Sequence, residues 1–203
     1  MDNNIFPLTP STNVSNGGGL SFYQLSYVPS EDVKLFINRV KIRNNIVTGG
    51  IQGNTFIFYW KITILAIGLV IAGGTVSIND LLIANNTSTT EVVGSIYFVG
   101  SPSSSFYLNN TTIIDNRFPS SIVSGIWIDE QTMSYKYNHT FANLRIEENE
   151  SNQVCGIKAS RISLLIENST IINNINENQQ DVATGGIHIA LSRLYLNRVQ
   201  VTG

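Results

Sequence analysis

Tyr97, Trp127, Lys158 and His188 each follow the hydrophobic member of a recurring Gly-hydrophobic signature, and Asp129 lies two residues after Trp127. Alternate residues of a strand face opposite sides. If Ile96, Ile126, Ile157 and Ile187 point inward, the residues after them form one outward row. The earlier copies, after Leu20 and Ile51, extend that row with Ser21 and Gln52. A row of aromatic and charged side chains on a flat sheet is a platform on which sugar rings could stack. The plainer reading is cross-strand pairing, worth ~0.2–1 kcal/mol per pair.

Catalysis would need more groups. Glycoside hydrolysis needs two carboxylates facing one bond. Asp129 is alone in its row, and Glu130 should face the other way or sit in a turn. A lyase would need acidic ligands for a divalent cation and a base. Lys158 is a candidate base without an acidic cluster. Glu31-Asp32 and Glu147-Glu148 read as solvated turn residues. His139 and His188 fall in different columns, so no metal site and no cofactor are expected. Cys155 is the sole cysteine, read as a small buried residue.

These residues are positioned by a repeat. Gly18-Gly19-Leu20, Gly49-Gly50-Ile51, Gly94-Ser95-Ile96, Ser124-Gly125-Ile126, Cys155-Gly156-Ile157 and Gly185-Gly186-Ile187 are copies of one signature. The hydrophobic members are spaced 31, 45, 30, 31 and 30 residues apart. A second signature, hydrophobic-x-x-Asn, closes a short apolar run at Asn45, Asn86, Asn116, Asn149 and Asn174. One such unit cannot bury its apolar face alone, whereas stacked units bury a continuous core. Asn suits the turns because it tolerates left-handed backbone, and stacked Asn side chains can bond along the stack.

The two signatures together resemble the repeats of polymorphic outer-membrane autotransporter passengers and of right-handed β-helix, pectin-lyase-like proteins, over residues 16–203. The repeat predicts an all-β parallel β-helix of about six coils, and a signature as early as Gly17 with a strand pattern running to Gly203 reads as a fragment of a longer array; the resemblance implies that the helix is right-handed. It also implies a superfamily that includes polysaccharide lyases and hydrolases, phage tailspikes and adhesins.

Residues 1–15 read as an irregular N-terminal segment, and residues 52–75 as an enlarged apolar coil. Within that coil, 56–72 is nearly all apolar except for Lys61. It is short of the ~20 residues of a membrane span. A membrane role is expected only if it spans or anchors. The chain carries net charge −2 and no basic patch, which argues against nucleic acid. No secretory signal begins it. Asn-x-Ser/Thr occurs at several turns, with Asn85, Asn109, Asn138 and Asn168 as candidate glycan acceptors. The expected function is a non-catalytic structural or adhesive segment of an extracellular or cell-surface protein. Its expected partner is a glycan or a surface protein. The alternative is a polysaccharide lyase or glycoside hydrolase.

Overall fold

The computed structural model describes residues 5–7, 20–23, 34–44, 46–48, 69–72, 75–89, 94–100, 104–130, 139–176 and 184–203. They form an all-β parallel solenoid with three six-stranded sheets. The longest sheet holds β3 (Lys34–Arg43), β6 (Thr75–Ala84), β9 (Ser105–Ile114), β12 (His139–Glu147), β15 (Ser163–Ile172) and β18 (Arg193–Thr202). The second holds the short strands β1 (Ile5–Pro7), β4 (Ile46–Thr48), β7 (Thr87–Ser88), β10 (Arg117–Phe118), β13 (Glu150–Ser151) and β16 (Ile175–Asn176). The third holds β2 (Leu20–Tyr23), β5 (Leu69–Ala72), β8 (Ile96–Gly100), β11 (Ile126–Glu130), β14 (Ile157–Ser160) and β17 (Ile187–Ala190). The chain visits the long, short and third sheets in turn. All pairings are parallel, as in β3 with β6 and β11 with β14.

The chain passes each sheet six times, and the stack amounts to about four turns, slightly different from the about six coils the repeat predicts. Two further differences concern its N-terminal part. Ile5–Pro7, inside the segment expected to be irregular, pairs with Ile46–Thr48. Ile51 lies outside the described residues, and the strand that pairs with Leu20 is Leu69–Ala72. Val70, rather than Gln52, therefore occupies the row position beside Tyr97. Of the apolar segment 56–72, the described part is this strand, with Ile71 fully buried. Among the described residues, no helix is long and apolar enough to cross a membrane.

Alternation explains the core. In β9, Phe106, Leu108, Thr111 and Ile113 are buried, and the residues between them are partly or fully exposed. Phe98 stacks on Phe106 with centroids 4.9 Å apart, and Phe106 meets Phe141 edge-on at 5.3 Å. Burying one such side chain contributes ~1.5–3 kcal/mol.

Corners explain the asparagines. Between the long and short sheets, Asn44, Asn85, Asp115, Glu148 and Asn173 have φ of 52° to 56°. This left-handed region favours Asn and Asp, whose short side chains bond locally. After Asn85, Asp115, Glu148 and Asn173 the next residue is the buried Asn of the second signature, and Asn45 lies outside the described residues. Asn86 donates to Asn116 at 2.8 Å, Asn116 to Asn149 at 2.9 Å, and Asn149 to Asn174 at 3.0 Å. These rungs are 30, 33 and 25 residues apart, so the ladder spans coils of unequal length. A second left-handed column, at Arg39, Asp80, Asn110, Asn143, Asn168 and Arg198, bends the long strands in their middles.

Glycine in the first signature permits close approach. A Cβ on Gly125 would lie 2.0 Å from the Gly156 carbonyl oxygen, and a Cβ on Gly156 would lie 2.0 Å from that of Gly186. Successive coils pass too closely there for any side chain.

Candidate functional site

The third sheet places the predicted row as the repeat implied from Tyr97 onward. Trp127 is in register with Tyr97 on one side and Lys158 on the other, and Lys158 is in register with His188. Asp129 sits one pleat along, between Val99 and Ser160. All five side chains are half-buried rather than fully exposed.

The row is knit together. Tyr97 meets Trp127 edge-on, with centroids 5.2 Å apart at 65°. The Lys158 ammonium lies 4.5 Å from the centroid of the Trp127 ring, a cation–π contact. The Trp127 indole Nε1 is buried and has no hydrogen-bond partner among the described residues. Arg161, at a left-handed corner with φ 58°, turns back and donates to Asp129 Oδ1 at 2.5 Å. It also donates through Nε to the Glu130 carbonyl oxygen.

Desolvation sets the electrostatics. Burial raises the Asp129 carboxyl above the ordinary carboxylate range, and Arg161 and Lys158 only partly oppose it. Burial lowers the Lys158 ammonium, with Asp129 opposing. Tyr97 is pushed up by burial first and by the Asp129 charge second. The patch thus carries charge in a partly dry setting, where a removed or added charge has more effect than on open surface.

Sequence reasoning missed two features. Arg161 carries no periodic signal, because it belongs to a corner rather than a strand. Glu130 and His139 form a fully buried pair, with Oε1 and Nε2 2.8 Å apart. Glu130 faces inward, as alternation from Asp129 requires. His139, placed by the sequence in a different column from His188, opens β12 within hydrogen-bond reach of Glu130. Their remaining polar atoms, Glu130 Oε2 and His139 Nδ1, have no hydrogen-bond partner among the described residues. The His139 ring also meets Phe98 edge-on at 5.6 Å. Gly100 leaves room there, since a Cβ on it would lie 2.7 Å from Phe98 and 3.3 Å from the Glu130 side chain.

No second carboxylate joins Asp129 among the described residues of the row. Nor do the described residues hold a group of three or more His, Cys, Asp or Glu that could bind a metal. Cys155 is buried, donates to the Ile175 carbonyl at 2.7 Å, and has its thiol pushed up by burial. Of the candidate glycan acceptors, Asn85 and Asn168 are exposed, Asn109 is partly buried, and Asn138 lies outside the described residues. Comparison of the chain with family models, curated proteins and solved structures returns no match.

Proposed function

We propose that the chain is a non-catalytic structural or adhesive segment of an extracellular or cell-surface β-helix protein. On this reading it contacts glycan or a surface partner through Tyr97, Trp127, Asp129, Lys158 and His188. The observation that carries the reading is the Tyr97–Trp127–Lys158 contact row, half-exposed on the third sheet and, among the described residues, without a second carboxylate beside Asp129. A stacked solenoid suits a stalk, because each coil braces the next. A right-handed coil of the pectin-lyase-like type fits the strong preference of parallel crossovers for that hand.

A glycan-array screen tests the binding. The wild-type chain is expected to retain at least one glycan class, and Trp127→Ala to lose it. Absence of binding by the wild type counts against the row as a glycan platform.

A second reading, a polysaccharide lyase or glycoside hydrolase, is favoured by one observation. Asp129 is raised and Lys158 lowered, the directions that prepare a general acid and a general base. Release of new sugar ends from a bound polysaccharide, lost in Asp129→Asn, would select this reading over the first.

A further inference from the structure

The sequence offers several overlapping Asn-x-Ser/Thr sites, and the fold sorts them by chemistry. N-glycosylation replaces one of the two hydrogens on an Asn side-chain nitrogen with a sugar. A folded chain can carry the glycan only where that hydrogen is not already committed inside the core.

Asn86 and Asn149 fail this condition. The Asn86 amide nitrogen donates to the Ile42 carbonyl at 3.3 Å and to Asn116 Oδ1 at 2.8 Å, so both hydrogens are used. The Asn149 nitrogen has three acceptors, Ile113 O, Glu147 O and Asn174 Oδ1, each at 3.0 Å. Both residues are fully buried. Asn109 is partly buried and sits in a ladder of its own, donating to Asn79 and accepting from Asn143. Asn110 donates to Asp80 across an exposed bend.

Asn85 and Asn168 differ. Asn85 is exposed at a left-handed corner and Asn168 at a left-handed bend within β15, with φ of 54° and 47°. Neither side chain makes a hydrogen bond among the described residues. Asn85 shares Thr87 with the buried Asn86 site: Asn85-Asn86-Thr87 overlaps Asn86-Thr87-Ser88. One residue of that pair points out at the corner while the next inserts into the ladder.

We propose that the folded chain accepts N-linked glycans at Asn85 and Asn168 and excludes them at Asn86 and Asn149. The donor class is an oligosaccharide on a lipid pyrophosphate carrier. The amide nitrogen bonds to the anomeric carbon, and the bond from that carbon to the pyrophosphate oxygen breaks. The lipid pyrophosphate leaves with the electron pair, and one amide hydrogen leaves as a proton. Asn85 and Asn168 both belong to the long-sheet side of the solenoid. Glycans there would clothe that side and leave the Tyr97–Trp127–Lys158 row of the third sheet clear. The assignment does not depend on whether that row binds anything.

The test expresses the full chain behind a cleavable secretion signal in a eukaryotic host. Occupancy is read by peptide mass spectrometry on the folded, protease-resistant fraction. Asn85 and Asn168 are expected to be occupied, and Asn86 and Asn149 bare. Asn85→Gln and Asn168→Gln should each remove one glycan's mass without loss of the folded fraction. Glycan on Asn86 or Asn149 in folded material overturns the proposal, as does folded material bare at both Asn85 and Asn168. If glycans on the buried sites prevent the wild type from folding, Ser88→Ala with Ser151→Ala removes those two sites and keeps every ladder amide. Recovery of folded chain carrying glycans at Asn85 and Asn168 then supports the proposal, and failure to recover it overturns the proposal.

Discussion

Asn149→Ala should be among the most damaging single changes outside the aromatic core. The side chain of Asn149 donates to Ile113 O, Glu147 O and Asn174 Oδ1, each at 3.0 Å. Its oxygen accepts from the Asn116 backbone N–H at 3.1 Å and the Asn116 amide at 2.9 Å. A hydrogen bond contributes about 1 kcal/mol net, and a buried group left unsatisfied costs about 1–3 kcal/mol. Two amide hydrogens serve three acceptors, so the five contacts are not worth five full bonds. The expected loss is about 3–5 kcal/mol, a large part of the ~5–15 kcal/mol that stabilises a typical domain. At ~2–4 °C per kcal/mol for a chain of this size, the melting temperature should fall by roughly 6–20 °C. Urea unfolding followed by circular dichroism measures the change directly. Asn168→Ala is the control, since its exposed side chain has no such bonds among the described residues, and it should cost no more than the ~1–2 kcal/mol of placing Ala at a left-handed φ. If Asn149→Ala matched that control, the buried ladder would not hold the coils together, and the reasoning from satisfied amides would fail.

Other perturbations probe different parts of the stack. Gly156→Ala would set a methyl 2.0 Å from a backbone oxygen, so it should cost more than about 3 kcal/mol and abolish soluble expression or shift the urea midpoint far down. His139→Ala strands the buried Glu130 and should cost about 3–5 kcal/mol, whereas Glu130→Met with His139→Phe should be nearly neutral. A double-mutant cycle read by thermal melting would fail to support the pair if the two single changes simply added. The Asp129 carboxyl is raised in the folded chain, so its contribution is present below the ordinary carboxylate value and is lost as pH rises through the raised value. Asp129→Asn should therefore flatten that decline in urea midpoints measured from about pH 3 to 7. An unchanged profile would show that its carboxyl titrates alike in the folded and unfolded chain.

The sequence made the period legible because the residues that repeat are those with least freedom. Inward Ile, Leu and Phe must fill the core, glycine must stand where coils graze, and Asn must close the corner. Trp127 and Lys158 could be placed beside one another because strand alternation carries outward positions as reliably as inward ones. The register failed at Ile51, where Gly49-Gly50-Ile51 looks like its neighbours in composition. The strand that takes its place, at Leu69, begins inside a continuous apolar run with no polar contrast to mark a face. Arg161 and the Glu130–His139 contact were illegible for another reason. Each joins a strand end to a corner or to the next strand across a loop, and no periodicity describes that geometry.

The amide ladder also has a direction. Asn86, Asn116 and Asn149 each donate to the next, so the oxygens of Asn116, Asn149 and Asn174 are each held by the rung before. Contacts in such a stack are to nearest neighbours, so order is transmitted along one axis only. Loss of one rung should therefore loosen the coils on either side of it: in Asn149→Ala, the amide protons of the adjoining strands β12 and β15 should lose more exchange protection than those of β3 and β6, a local response in a chain that shares one core.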